Sequence, residues 1–147
     1  WLVGDLDLGN PMSLTKNEIN AWKKKNIVSF LGYSENIIKI INQSKIVVLP
    51  SYREGLPRVL LEASAMSKPI VASNVSGCRD VVVDGVNGLL CRVKSSFDLA
   101  EKMTMIVNLS FEDRQKMGAK GRQIVKEVFD EGIVVNRYLE TVYKGSS

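Results

Sequence analysis

Short apolar runs alternate with longer stretches whose apolar residues recur every three or four positions. Leu2-Val3 and residues 27–31, 46–49, 69–73 and 89–92 have the length and continuity of buried strands. Helical spacing predicts helices over 14–24, 35–43, 57–67 and 133–143. Two more helices begin at Ser95-x-x-Asp98 and at Ser110-x-x-Asp113, the second running to about Phe129. Thr15 and Glu18 have capping-box spacing. The second helix is expected to turn Ile37, Ile38, Ile40 and Ile41 inward. The helix after Ser95 is expected to turn Leu99, Ala100, Met103, Ile106 and Val107 inward. Residues 74–83 read as a flexible turn followed by a short helix. Asp84-Gly85-Val86-Asn87-Gly88 is dense turn chemistry.

Strands alternating with helices at this spacing predict βαβ units. The fold class is α/β: a Rossmann-like, doubly wound parallel sheet with helices on both faces. At 147 residues, 45% of them hydrophobic, the chain suffices for one domain with a real core, taken as residues 1–147. No repeat, linker or low-complexity tract interrupts it. No apolar run approaches the length of a membrane span, and Trp1-Leu2-Val3-Gly4 lacks the basic region of a signal peptide. The abrupt start in a strand suggests a piece of a longer protein, and Gly145-Ser146-Ser147 reads as a flexible end.

Composition removes several chemistries. Histidine is absent, which excludes Ser-His-Asp triads, Cys-His pairs and His-ligated zinc. Cys78 and Cys91 are too few for a zinc cluster and read as two thiols in a reduced compartment. Sequons at Asn42, Asn74 and Asn108 read as chance occurrences in a cytoplasmic chain. The net charge of +4 is mild. Lys23-Lys24-Lys25 reads first as a solvated helix end and second as a patch for phosphates or an anionic membrane surface. No interleaved basic and aromatic pattern supports nucleic-acid binding.

The candidate chemistry sits where the strand 46–49 gives way to Ser51-Tyr52-Arg53-Glu54-Gly55-Leu56-Pro57-Arg58-Val59-Leu60-Leu61-Glu62-Ala63. Pro57 suits the first turn of a helix. A helix N-terminus at the carboxyl end of a parallel strand is a ready anion site. Glu54 precedes that N-terminus and Glu62 follows it, with seven residues between them. A carboxylate on each side accepts hydrogen bonds from hydroxyl groups. This combination suits a ligand with phosphates in the middle and polyols at both ends. Neither G-x-G-x-x-G nor a P-loop occurs, so phosphate binding rests on residues 53–57. For a lone pair the plainer reading is that Glu54 favours a helix N-terminus electrostatically and Glu62 is solvated. Asp5-Leu6-Asp7 has the form of a D-x-D metal motif, although a polar loop is the plainer reading. An EF-hand starting at Asp5 fails because its twelfth position is Lys16.

The ordered motifs resemble the carboxyl-terminal domain of retaining GT-B glycosyltransferases, the glycosyl transferases group 1 family, family 4. The matching residues are Val48-Leu49-Pro50-Ser51-x-x-Glu54-Gly55-Leu56-Pro57-x-x-Leu60-Leu61-Glu62-Ala63, then Met66-x-x-Pro69-Ile70-Val71-Ala72-Ser73. They continue with Gly77-x-x-Asp80-Val81-Val82 and Asp84-Gly85-x-Asn87-Gly88-x-Leu90, with Val28-Ser29-Phe30-Leu31-Gly32 upstream. The resemblance spans roughly residues 2–143.

The resemblance implies that Glu62 accepts hydrogen bonds from a nucleotide ribose, and that Glu54, the candidate catalytic residue, lies by the transferred sugar. It implies that Arg53, Pro57 and the N–H groups of Gly55, Leu56 and Arg58 surround the sugar and diphosphate. It also implies that Gly32 and Tyr33 lie where the nucleobase is held. The donor would be a nucleotide-sugar, a UDP-sugar, used without metal or cofactor. The acceptor would be a glycan or lipid-linked sugar, met through an N-terminal domain outside this sequence, with an Arg and a Lys for the diphosphate upstream of Trp1. The fragment alone would be inactive. Cytoplasmic location, with peripheral contact at the inner face of a membrane, fits the family. Three departures stand out: E-G-L-P-R in place of E-G-F-G-L, Ser67-Lys68 where a small residue and glycine are usual, and Cys78-Arg79 where a proline often follows Gly77. A non-catalytic nucleotide-binding module and a metal-dependent D-x-D transferase stay open as rivals.

Overall fold

Thr15 starts the first helix as its chemistry requires. Its hydroxyl oxygen accepts the Glu18 N–H at 3.2 Å, and the Glu18 carboxylate accepts the Thr15 N–H at 2.8 Å. That backbone N–H, and the Thr15 hydroxyl donating to the same carboxylate oxygen at 2.7 Å, hold the Glu18 carboxyl below the usual carboxylate range. The computed structural model describes residues 1–6, 9 and 13–144, without the side chains of 134, 137 and 142–144. Asp7 and residues 145–147 of the sequence reading lie outside the described residues.

The described chain forms two compact units, Trp1–Ile37 and Ile38–Ser147. In the first, β1 (Leu2–Val3) pairs in parallel with β2 (Phe30–Gly32), and α1 (Lys16–Lys24) connects them. Leu14 lies outside the helix, because Thr15 is its cap. The strand expected from residue 27 starts three residues later. Asn26 takes a left-handed φ of 53°, and the Ile27 N–H closes a turn on the Trp22 carbonyl, which leaves Ile27 64% exposed. Lys23, Lys24 and Lys25 are exposed at the end of α1, as the solvated-end reading has them, and the Lys23 ammonium sits 5.3 Å from the centre of the Phe30 ring.

The second helix, α2, is Ile37–Gln43. Ile41 is buried, whereas Ile38, expected inward, is exposed. At 100° per residue the four isoleucines cannot share one face; 37 and 41 stack one turn apart, and 38 turns away.

The second unit's sheet has the order β3–β4–β5 and is parallel throughout: Val47–Leu49, Ile70–Ser73 and Gly88–Cys91. All four residues of β4 are buried, so both faces of the sheet are covered at its centre. Ile70 and Ala72 join Leu60 and Ala63 of α3 (Arg58–Ala65) and Cys78 and Val81 of α4 (Ser76–Val81) in one core cluster. By alternation Val71 belongs to the opposite face. There α5 (Ser96–Asn108) packs against β4 and β5, and it buries Ile106. Ala100 and Val107, expected inward, are exposed, because Leu99, Met103 and Ile106 already fill the narrow stripe this helix buries. The short helix expected within 74–83 is α4, which buries Gly77, Cys78 and Val81.

The helix α6 (Phe111–Val128) lies close against α3 through two buried glycines. A Cβ at Gly118 would overlap the Ser67 carbonyl, and one at Gly121 would stand 3.4 Å from the Ser64 hydroxyl. Arg122 donates to the Ala65 carbonyl at 3.0 Å, which satisfies an end carbonyl of α3. The last helix, α7, is Glu131–Lys144.

Candidate functional site

Parallel pairing delivers the loops after β3, β4 and β5 to one end of the sheet of the second unit. The loop after β3 carries the candidate residues. It begins with Ser51, whose hydroxyl donates to the Arg53 carbonyl at 3.1 Å. Glu54 is half-buried, while Arg53, Gly55, Leu56 and Arg58 are exposed. Pro57 is buried and is the N-cap of α3, one position earlier than the first-turn place expected for it. A proline at this cap has no side-chain acceptor to offer the first turn, and no capping hydrogen bond forms.

The helix starts with its amides open. The Leu60 and Leu61 N–H groups both reach the Pro57 carbonyl, at 3.0 and 3.4 Å. Among the described residues, no hydrogen bond engages the N–H groups of Gly55, Leu56, Arg58 or Val59. Four unpaired donors thus gather at a helix N-terminus, where the peptide dipoles also favour negative charge. Glu62, half-buried, stands in the second turn of α3, and Glu54 stands on the other side of the open amides. Two carboxylates flank a cluster of donors, which suits an anionic centre with hydroxyl groups at either end.

A neighbouring loop and a helix brace this segment. Lys94, in the loop after β5 with φ 61°, places its ammonium 5.6 Å from the centre of the Tyr52 ring. On the other side, Gly77 of α4 lies so close that a Cβ there would overlap the Gly55 carbonyl oxygen and stand 2.8 Å from that of Glu54. Next to it, burial first and then the Glu54 carboxylate push the Cys78 thiol up to about 11. The Tyr52–Lys94 contact and the bracing by Gly77 were not predicted. Gly77 stood in the motif without a role, because a close approach between a helix and a loop leaves no mark on periodicity.

The remaining candidates fall elsewhere. Gly32 and Tyr33 belong to the first unit. Gly32 has a φ of 70°, which favours glycine, and its carbonyl accepts the Gly4 N–H at 2.9 Å. Tyr33 is exposed. Asp5 is exposed and Asp7 lies outside the described residues. Among the described residues, no group of three His, Cys, Asp or Glu side chains is placed to hold a metal ion. A cleft of about 370 Å³ runs along α5, lined by Phe97, Ala100, Glu101, Thr104, Met105 and Asn108. It is almost wholly apolar and contains neither glutamate of the loop, so its size does not make it the site of polar recognition.

Comparison with known proteins converges on one family. The family described as glycosyl transferases group 1 matches residues 3–124. The chain is 32% identical over 141 residues to N,N'-diacetylbacillosaminyl-diphospho-undecaprenol alpha-1,3-N-acetylgalactosaminyltransferase of Campylobacter jejuni, covering 95% of this chain and 35% of that protein. It is 32% identical over 116 residues to N-acetyl-alpha-D-glucosaminyl L-malate synthase of Bacillus anthracis, covering 79% of this chain and 30% of that protein. The chain thus spans about a third of the length of these curated relatives. Among solved structures it is similar to Anabaena Alr3699/HepE in complex with UDP, with a TM-score of 0.85 and 26% identity over 97% of this chain and 40% of that one. The same protein in complex with UDP-glucose gives a TM-score of 0.83.

Proposed function

Because the chain belongs to the glycosyl transferases group 1 family, we propose that residues 1–147 are the donor-binding domain of a retaining GT-B hexosyltransferase of family 4. The observation that carries this reading is the set of unpaired Gly55, Leu56, Arg58 and Val59 amides between half-buried Glu54 and Glu62. The donor is a UDP-sugar, a reading supported by the UDP and UDP-glucose complexes of the Anabaena structures.

In this account the diphosphate rests on the first-turn amides of α3, and the helix dipole offsets the charge that grows as the sugar leaves. Glu62 accepts the ribose hydroxyls one and a half turns into the helix. Glu54, ahead of the helix, meets the hydroxyls of the transferred sugar. The amides of Gly55 and Leu56, on the Glu54 side, face the sugar, with Arg53, Pro57 and Arg58 around them. No metal is required, since backbone donors and basic side chains carry the electrostatics. The acceptor is a glycan or lipid-linked sugar met through a further domain. With a lipid-linked acceptor, the enzyme works as a peripheral protein at the cytoplasmic face of a membrane.

The test is sugar transfer by the full-length protein from a panel of UDP-sugars, with and without EDTA, followed by the anomeric configuration of the product. The reading expects transfer that survives EDTA and retains configuration. Transfer that stops in EDTA would move the site to a metal-dependent mechanism. Tight UDP binding with no transfer from any donor would leave a non-catalytic nucleotide-binding module.

A further inference from the structure

We propose that Gly77 is a positioning residue for sugar transfer: it fixes the peptide between Gly55 and Leu56 so that the Leu56 N–H faces the donor sugar. The inference rests on the donor-site reading above and goes beyond it, because Gly77 itself touches no ligand.

The argument is geometric. A Cβ at Gly77 would overlap the Gly55 carbonyl oxygen, while the carbonyl carbon behind it would stand 2.5 Å away. The oxygen is met first, so the Gly55 carbonyl is aimed at the place a Gly77 side chain would occupy. No peptide bond in the described chain is cis. In a trans peptide the C=O and the following N–H point in opposite directions. The Leu56 N–H is therefore turned away from Gly77, and among the described residues no protein acceptor meets it.

Gly77 can hold that peptide because it cannot retreat. It is buried in the first turn of α4, and the next residue, Cys78, and Val81 are both fully buried in the core cluster with Leu60 and Ala63 of α3. The α4 helix thus forms a fixed wall behind the loop. Any side chain at position 77 must push the Glu54–Gly55 backbone outward, and with it the Glu54 carboxylate and the Leu56 amide. The α3 amides and Glu62, which lie further along, keep their places. The shift falls on the sugar half of the site and spares the nucleotide half.

The experiment compares Gly77→Ala with Gly118→Ala in the full-length protein. Both alanines overlap a backbone carbonyl, but Gly118 meets Ser67, beyond the far end of α3. Gly77→Ala is expected to lower kcat about 100-fold and to leave the Kd for UDP within about threefold of wild type, as a displacement near 1 Å does. Gly118→Ala is expected to lower Tm and to leave kcat per folded molecule within about threefold. Equal kcat values per folded molecule for the two variants would reduce Gly77 to a packing residue and overturn the proposal. If Gly77→Ala does not fold, the wild-type protein decides. Adding a UDP-sugar that it transfers should shift the Leu56 amide resonance and slow its hydrogen exchange, and an unchanged Leu56 amide overturns the proposal. A wild-type protein that binds neither UDP nor a UDP-sugar sinks the donor-site reading, and this inference falls with it.

Discussion

Asn87 is wholly buried, yet its side-chain amide is satisfied at both ends. Its oxygen accepts the Val83 N–H at 2.7 Å, and its nitrogen donates to the Val81 carbonyl at 2.9 Å. The side chain replaces backbone partners where α4 stops and the turn to β5 begins. Asn87→Ala would strand the Val81 carbonyl in the interior and take the partner from the Val83 N–H, and should cost about 2 kcal/mol, read from the denaturant midpoint. Cys78 obeys the same accounting in ionisation. With its thiol pushed up to about 11 from a reference of 9.0, the native thiolate population at pH 8 is about 100-fold below that of the unfolded chain. Iodoacetamide should therefore alkylate Cys78 at pH 8 at least about 100-fold more slowly in native than in urea-unfolded protein, and the gap should close as pH rises toward 11. Equal rates in the two states would show that Cys78 is neither buried nor shadowed by Glu54.

At the scale of elements, α3 is defined by its two ends. Its start is left open, and its end is closed by a six-residue motif. The Lys68 N–H reaches the Ala63 carbonyl at 2.9 Å and the Ser67 N–H reaches that of Ser64 at 2.9 Å, which is a Schellman closure. Ser67 holds the left-handed position, φ 57°, that glycine usually fills. Ser67→Gly should remove the Cβ conflict and raise stability by roughly 0.5–1 kcal/mol, measured as an increase in Tm. Lys68 follows the end of α3, where a cation would suit the helix dipole. Its ammonium instead donates to the Asn42 and Ser44 carbonyls, at 2.7 and 3.0 Å, and so closes the end of α2. A lysine is long enough to leave the helix it follows, and only the packing of α2 beside it decides which carbonyls it meets.

For the whole molecule, what could be read in the chain divides by the range of the interaction. Capping at Thr15, Ser95 and Ser110, the parallel strands and the two glutamates around the start of α3 follow from short-range spacing, and the structure has them. Ile38, Ala100 and Val107 were misassigned because a helix buries a stripe narrower than its apolar content. Ile27 was misassigned because Asn26 can take a turn conformation that periodicity does not register. Gly77 against Gly55 and Lys94 over Tyr52 join positions far apart in sequence, and only the parallel topology brings them to the same end of the sheet.

The central claim is that the open start of α3 and the two carboxylates beside it bind a nucleotide diphosphate. Calorimetric titration of the full-length protein with UDP, wild type against Glu62→Gln, tests it most directly. Losing the ribose-facing carboxylate should weaken UDP binding about 10- to 100-fold, the loss expected for charged hydrogen bonds, and EDTA should change neither affinity. Equal affinity of the two proteins for UDP, or binding that disappears in EDTA, would contradict the assignment.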